Sequence, residues 1–99
     1  MAEVNIINWH INPFRADRWY KAWMPALRRA PSFGAKSYSL TRAEDDHLLF
    51  VQTTIWESRA DFERFWSSDE VSRARAEALD WYNKPILPGW HVMLAQETE

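Results

Sequence analysis

HLLFVQTTIWESRADFERFWSSDEVSRARAEALDWY, residues 47–82, decides the fold of this chain. It opens with ten residues, His47–Trp56, in which Leu49, Val51, Thr53 and Ile55 alternate with Leu48, Phe50, Gln52, Thr54 and Trp56. Period-two alternation marks a β-strand, and bulky side chains in both sets mark a strand covered on both faces. Ser58 follows at once with Asp61 three residues on, the spacing of a helix capping box. Phe62, Phe65 and Trp66 form the apolar side of that helix. Ser67 with Glu70 repeats the signature, so the helix is expected to restart there at a changed angle, with Val71, Ala74, Ala78 and Trp81 continuing the stripe.

Working outward, Val4–Asn12 alternates in the same way, with Val4, Ile6, Asn8 and His10 in one set and Asn5, Ile7, Trp9 and Ile11 in the other. Both sets carry large apolar residues, which predicts a second strand partly buried on both sides. Asn12 then Pro13 is the favoured order for a helix start. A helix is expected over Pro13–Arg29, its stripe formed by Ala16, Trp19, Tyr20, Trp23 and Leu27, with Pro25 bending the last turns. Ala35–Arg42 reads as a more polar edge strand. Pro85 and Pro88 end helical structure, and a last strand is expected over Trp90–Gln96.

The order strand–helix–strand–strand–helix–strand is the split βαβ plan of an α+β, ferredoxin-like fold. Right-handed crossovers put both helices on one face of the four-stranded antiparallel sheet. Two helices cover one face, and three strands are apolar on both. A second copy packed sheet to sheet about a two-fold axis is the economical cover, so a homodimer is expected.

Composition excludes several functions. Ninety-nine residues make one domain. The net charge of −2 comes from interleaved acids and bases, so no basic face suits a nucleic acid. Cysteine is absent, which removes disulfide and thiolate chemistry. Three scattered histidines lack metal-ligand spacing, so no metal site is expected. No leader pattern or membrane-length apolar run is present, which makes a cytoplasmic location the default expectation. Seven tryptophans stand out; each aromatic buries about 150–250 Å², so a few of them supply most of a small core, or wall a cavity for a flat ligand.

The run Phe50-Val51-Gln52-Thr53-Thr54-Ile55-Trp56-Glu57-Ser58, then Asp61-Phe62 and Phe65-Trp66, resembles the antibiotic biosynthesis monooxygenase type of the dimeric α/β-barrel superfamily. Asn8–Pro13 and the turn Ala30-Pro31-Ser32-Phe33-Gly34 are similar to that family's first strand and first helix exit. The resemblance implies a dimeric α/β barrel whose members include cofactor-free monooxygenases of polycyclic aromatics and haem-degrading enzymes. The haem-degrading branch carries an Asn on the first strand and a Trp and a His on the second helix. Asn8 matches the Asn, and Phe65 or Trp66 the Trp. Ala74 and Arg75 stand where the His belongs.

Asn8 and His10, two apart on one strand, point to one face. If that face lies beneath the helices, as the resemblance implies, they meet Trp19, Trp23, Phe65 and Trp66. His10 is then the candidate general base and Asn8 the donor orienting a substrate anion, in a monooxygenase acting without a cofactor on an aromatic or quinol-like molecule. Tyr82 and Tyr20 are candidate hydrogen-bond donors to a quinone-like oxygen, and His91 a second candidate base or ligand. Arg73 and Arg75 are candidate guides for an anionic ligand; His47, after two aspartates, is expected in solvent. The alternatives are a non-catalytic binder of haem or another flat hydrophobic molecule, and a structural dimer with a filled interior.

Overall fold

Residue preferences along β3 (Leu49–Trp56) place it in the middle of the sheet, where both its edges find partners. In the computed structural model, which describes residues 2–97, β1 (Glu3–His10) pairs antiparallel with β3 along its whole length, from Glu3 opposite Trp56 to His10 opposite Leu49. β2 (Ala35–Arg42) takes the other edge of β3, and β4 (Gly89–His91) takes the free edge of β1. The strand order is β2-β3-β1-β4, all antiparallel, with α1 (Ala16–Leu27), α2 (Arg59–Trp66) and α3 (Asp69–Glu77) on one side. This is the expected ferredoxin-like α+β arrangement.

The helices settle which parity of each strand becomes core. Asn5, Ile7 and Trp9 on β1 and Phe50, Gln52, Thr54 and Trp56 on β3 are buried. Trp9 touches Trp19 and Trp23 of α1, and Trp56 touches Phe62 and Phe65 of α2, which fixes these sets beneath the helices. The other parity, with Val4, Ile6, Asn8 and His10 on β1 and Leu49, Val51, Thr53 and Ile55 on β3, forms the open face.

Polar ends decide where helices begin and break. The Ser58 hydroxyl accepts a hydrogen bond from the Asp61 amide at 3.3 Å, the cap expected from sequence. The restart falls one residue later than expected. Ser68 caps α3, accepting from Val71 N, while Ser67 donates its hydroxyl back to the Glu63 carbonyl and finishes α2. Asn12 does not cap α1; its side chain donates instead to Asp80 O at 2.8 Å and ties the start of the first helix to the end of the last. α1 accordingly starts three residues later than expected, after Phe14 at φ 66°, and still runs through Pro25. Gly34 closes the following turn at φ 110°, where an added Cβ would sit 2.8 Å from Asp61 Oδ2.

The last strand is much shorter than expected. His91 stands opposite Val4, so continuing β4 would carry it past the start of β1, where no neighbouring strand remains. Val92 and Leu94 are 82% and 92% exposed beyond that point. Among the described residues no helix is long and apolar enough to cross a membrane.

Candidate functional site

The helix side of the sheet is a layer of aromatic rings packed in contact. Trp9 is its centre, with ring centroids 4.9 Å from Trp23, 5.2 Å from Trp19, 6.3 Å from Trp66 and 5.2 Å from Tyr82, the last edge-on. Phe62 stacks on Trp66 at 5.7 Å and meets Trp56 and Trp90 edge-on. Offset and edge-to-face geometries at these distances are the favoured ones for quadrupolar rings.

Three polar side chains are buried under this layer: Asn5, Gln52 and Thr54. Gln52 Oε1 accepts two indole N–H bonds, from Trp23 at 2.8 Å and Trp9 at 3.1 Å, and the two donors fix which end of the amide is oxygen. Thr54 accepts the Trp56 indole at 2.7 Å. Asn5 is different. It lies between Thr54 on β3 and Trp90 on β4, is 0% exposed, and neither its Nδ2 nor its Oδ1 has a partner. The Gln52 Nε2 and Trp19 Nε1 donors are unpartnered as well. Each such group costs about 1–3 kcal/mol when buried unpaired, which sets Asn5, with both of its ends unanswered, apart from the other buried polar side chains.

Five of the expected site residues come together here: Trp19, Trp23, Phe65, Trp66 and Tyr82 all lie on the helix side. Burial pushes the Tyr82 phenol pKa up, opposed by the positive charge of Arg75, so its hydroxyl keeps its proton as a donor. Asn8, His10 and His91 do not join them. All three are exposed; Asn8 and His10 lie on the open face, and His91 is opposite Val4 of that same set. The expectation that Asn8 and His10 sit beneath the helices is therefore corrected. The physical reason is parity: the helices bury the set holding Ile7, Trp9 and Ile11, and that set's amide is Asn5. The signal was present, since the largest side chain of β1, Trp9, shares its set with Asn5.

Among the described residues, concavities lie outside this layer. A surface groove of about 500 Å³ runs between α1 and α3 beside Arg18, Lys21, Arg73 and Trp81, and a smaller one of about 270 Å³ lies beside Tyr20, Leu40 and Arg42. The ring contacts fill the space directly above Trp9.

The element order and sheet topology define a ferredoxin-like α+β domain. Residues 5–77 match the family model of the antibiotic biosynthesis monooxygenases, and the chain belongs to that family. No curated protein matches it. Among solved structures it is similar to Rv0793 from Mycobacterium tuberculosis, at 15% identity and TM-score 0.83, covering 99% of this chain and 100% of that one. It is also similar to PA3566 from Pseudomonas aeruginosa, at 17% identity and TM-score 0.83, with 95% of both chains covered. A structure named as an antibiotic biosynthesis monooxygenase aligns at 16% identity and TM-score 0.82, over 96% of this chain and 100% of that one. At these identities the likeness establishes the fold.

Proposed function

We propose that the chain is a monooxygenase acting, without a resident cofactor, on an aromatic, quinol- or anthrone-like molecule held on the helix face of the sheet. The observation that supports this reading most is Asn5, a buried amide with both polar ends unpartnered beneath an aromatic layer. Its Nδ2–H groups suit the oxygen of an electron-rich ring. Negative charge gathers on that oxygen as the ring CH2 conjugated with it loses a proton to a water molecule admitted with the substrate, and a fixed donor lowers the cost of that charge. Dioxygen then adds at the carbanion carbon, and the hydroperoxide collapses. The substrate CH2 and O2 become C=O and H2O, and the substrate supplies the electrons. Access requires Trp66, the partly exposed ring at the end of α2, to swing aside beside the Ser67–Ser68 break.

Oxygen uptake with anthrone tests this. The wild type is expected to consume one O2 per anthrone. Asn5→Leu should lose about a hundredfold in rate, the size of effect seen when one oxyanion donor is removed. His10→Ala should keep its rate, because that imidazole lies on the other face. No uptake by the wild type, or full uptake by Asn5→Leu, sinks the reading. The absence of an imidazole on the helix face favours a second reading, a non-catalytic holder of haem or another flat hydrophobic molecule, which predicts saturable binding with no oxygen uptake.

We further propose a homodimer through the open face. Ile6, Leu49, Val51 and Ile55, each half-buried in the single chain, make its centre, with Asn8 and His10 lining the seam. The accessible surface is 6567 Å², against about 5,900 Å² expected of a monomer of this mass. Light scattering should give twice 11.8 kDa, and Val51→Lys should give the single-chain mass. A wild-type monomer at micromolar concentration would contradict it.

A further inference from the structure

Among the described residues Arg42, Arg59, Arg75 and Lys84 each stand over an aromatic ring, and Arg75 lies nearest to its ring. It stands in the last turn of α3, with its guanidinium carbon 4.4 Å from the centre of the Trp66 ring. Its Nε is buried and has no hydrogen-bond partner. Four other cations, Arg29, Lys36, Arg59 and Arg64, pair with carboxylates within 4.0 Å; among the described residues Arg75 has no such partner. The negative end of α3 offsets part of the cost of holding this charge against an indole. It leaves the Nε donor unanswered.

The neighbours of Arg75 say what would answer it. Trp66 touches Trp9 and Trp23, and Tyr82, close enough to feel the Arg75 charge, stands edge-on to Trp9. A ligand ring lying along Trp66 and Trp9 would bring a substituent to Arg75 and the Tyr82 hydroxyl together. A guanidinium with a free Nε offers two parallel N–H bonds, from Nε and one Nη, and the planar group that matches them is a carboxylate. A neutral carbonyl takes only one of them.

We propose, resting on the aromatic-site reading above, that Arg75 with Tyr82 forms an acid-recognising end of the site and that the ligand is an aromatic carboxylate. Arg75 thereby sets specificity, while Asn5 faces the opposite end. A hydrogen bond to a charged group contributes about 1.5–3 kcal/mol, which corresponds to roughly ten- to a hundredfold in affinity.

Calorimetric titration with naphthoic acid and with its methyl ester tests this on the full chain. The wild type should bind the acid at least about tenfold more tightly than the ester. Arg75→Gln should bind the two alike with the ester affinity unchanged, and Arg75→Lys, which keeps the charge without the fork, should recover part of the preference. Equal binding of acid and ester by the wild type, or a preference that survives in Arg75→Gln, overturns the proposal while leaving the aromatic site standing. Binding of neither compound removes both. If Arg75→Gln fails to fold, Arg75→Lys decides: a preference as large as wild type overturns the bidentate role, and a reduced one supports it.

Discussion

Gln52→Leu should lower the stability of the protein by about 2–4 kcal/mol, although leucine nearly matches glutamine in volume and is the more hydrophobic side chain. The carbonyl end of Gln52 is the acceptor for both the Trp9 and the Trp23 indoles, and these rings are 0% and 1% exposed. Removing one acceptor orphans two buried donors, each costing about 1–3 kcal/mol. The gains from burying extra apolar surface and from removing the unpartnered Gln52 Nε2 offset part of this and not all of it. For a domain of this length each kcal/mol moves the melting temperature by about 4–8 °C, so the loss should be on the order of ten degrees or more by circular dichroism. An unchanged melting temperature would mean that the indoles do not depend on Gln52.

The corresponding substitution on the adjacent strand should act in the opposite direction. Asn5→Leu removes a buried amide whose two ends are both unpartnered, so nothing is orphaned and an uncompensated desolvation cost disappears. Stability should rise by about 1–2 kcal/mol and the melting temperature by roughly 5–10 °C. Because this variant is also the one expected to lose oxygen uptake, the two measurements together describe a position where stability has been given up for function. A fall in melting temperature would show that Asn5 holds the fold together and has no ligand to wait for. The contrast between the two amides rests on hydrogen-bond accounting alone, since both are buried on the same face beneath the same rings.

The fold was legible because each element carried several independent signals. β3 alternates without interruption, Ser58 and Asp61 cap the helix that follows, and Gly34 stands where the backbone turns left-handed. The site was less legible, and the reason is specific. On β1 both alternating sets are apolar enough to be core, so periodicity alone says that two faces are buried and cannot say which one the helices take. Asn8 and His10 were the conspicuous polar pair. Asn5, set among isoleucines, was the amide that the helices covered. Helix ends slipped for a related reason: Asn12, Ser67 and Ser68 each have several backbone groups within reach, and tertiary contacts chose between them, sending Asn12 to Asp80 O. The last strand shortened because its length depends on where β1 begins, a fact held at the other end of the chain.

The aromatic layer has a further consequence, and it is optical. Trp9, Trp19, Trp23 and Trp66 stand within 4.9–6.3 Å of one another through Trp9, so their transition dipoles are coupled rather than independent. The near-ultraviolet spectrum of this protein therefore belongs to the layer as a whole. A molecule that parts Trp66 from Trp9 will change the shared spectrum of several chromophores at once, and the chain carries its own reporter of whether the layer is closed or open.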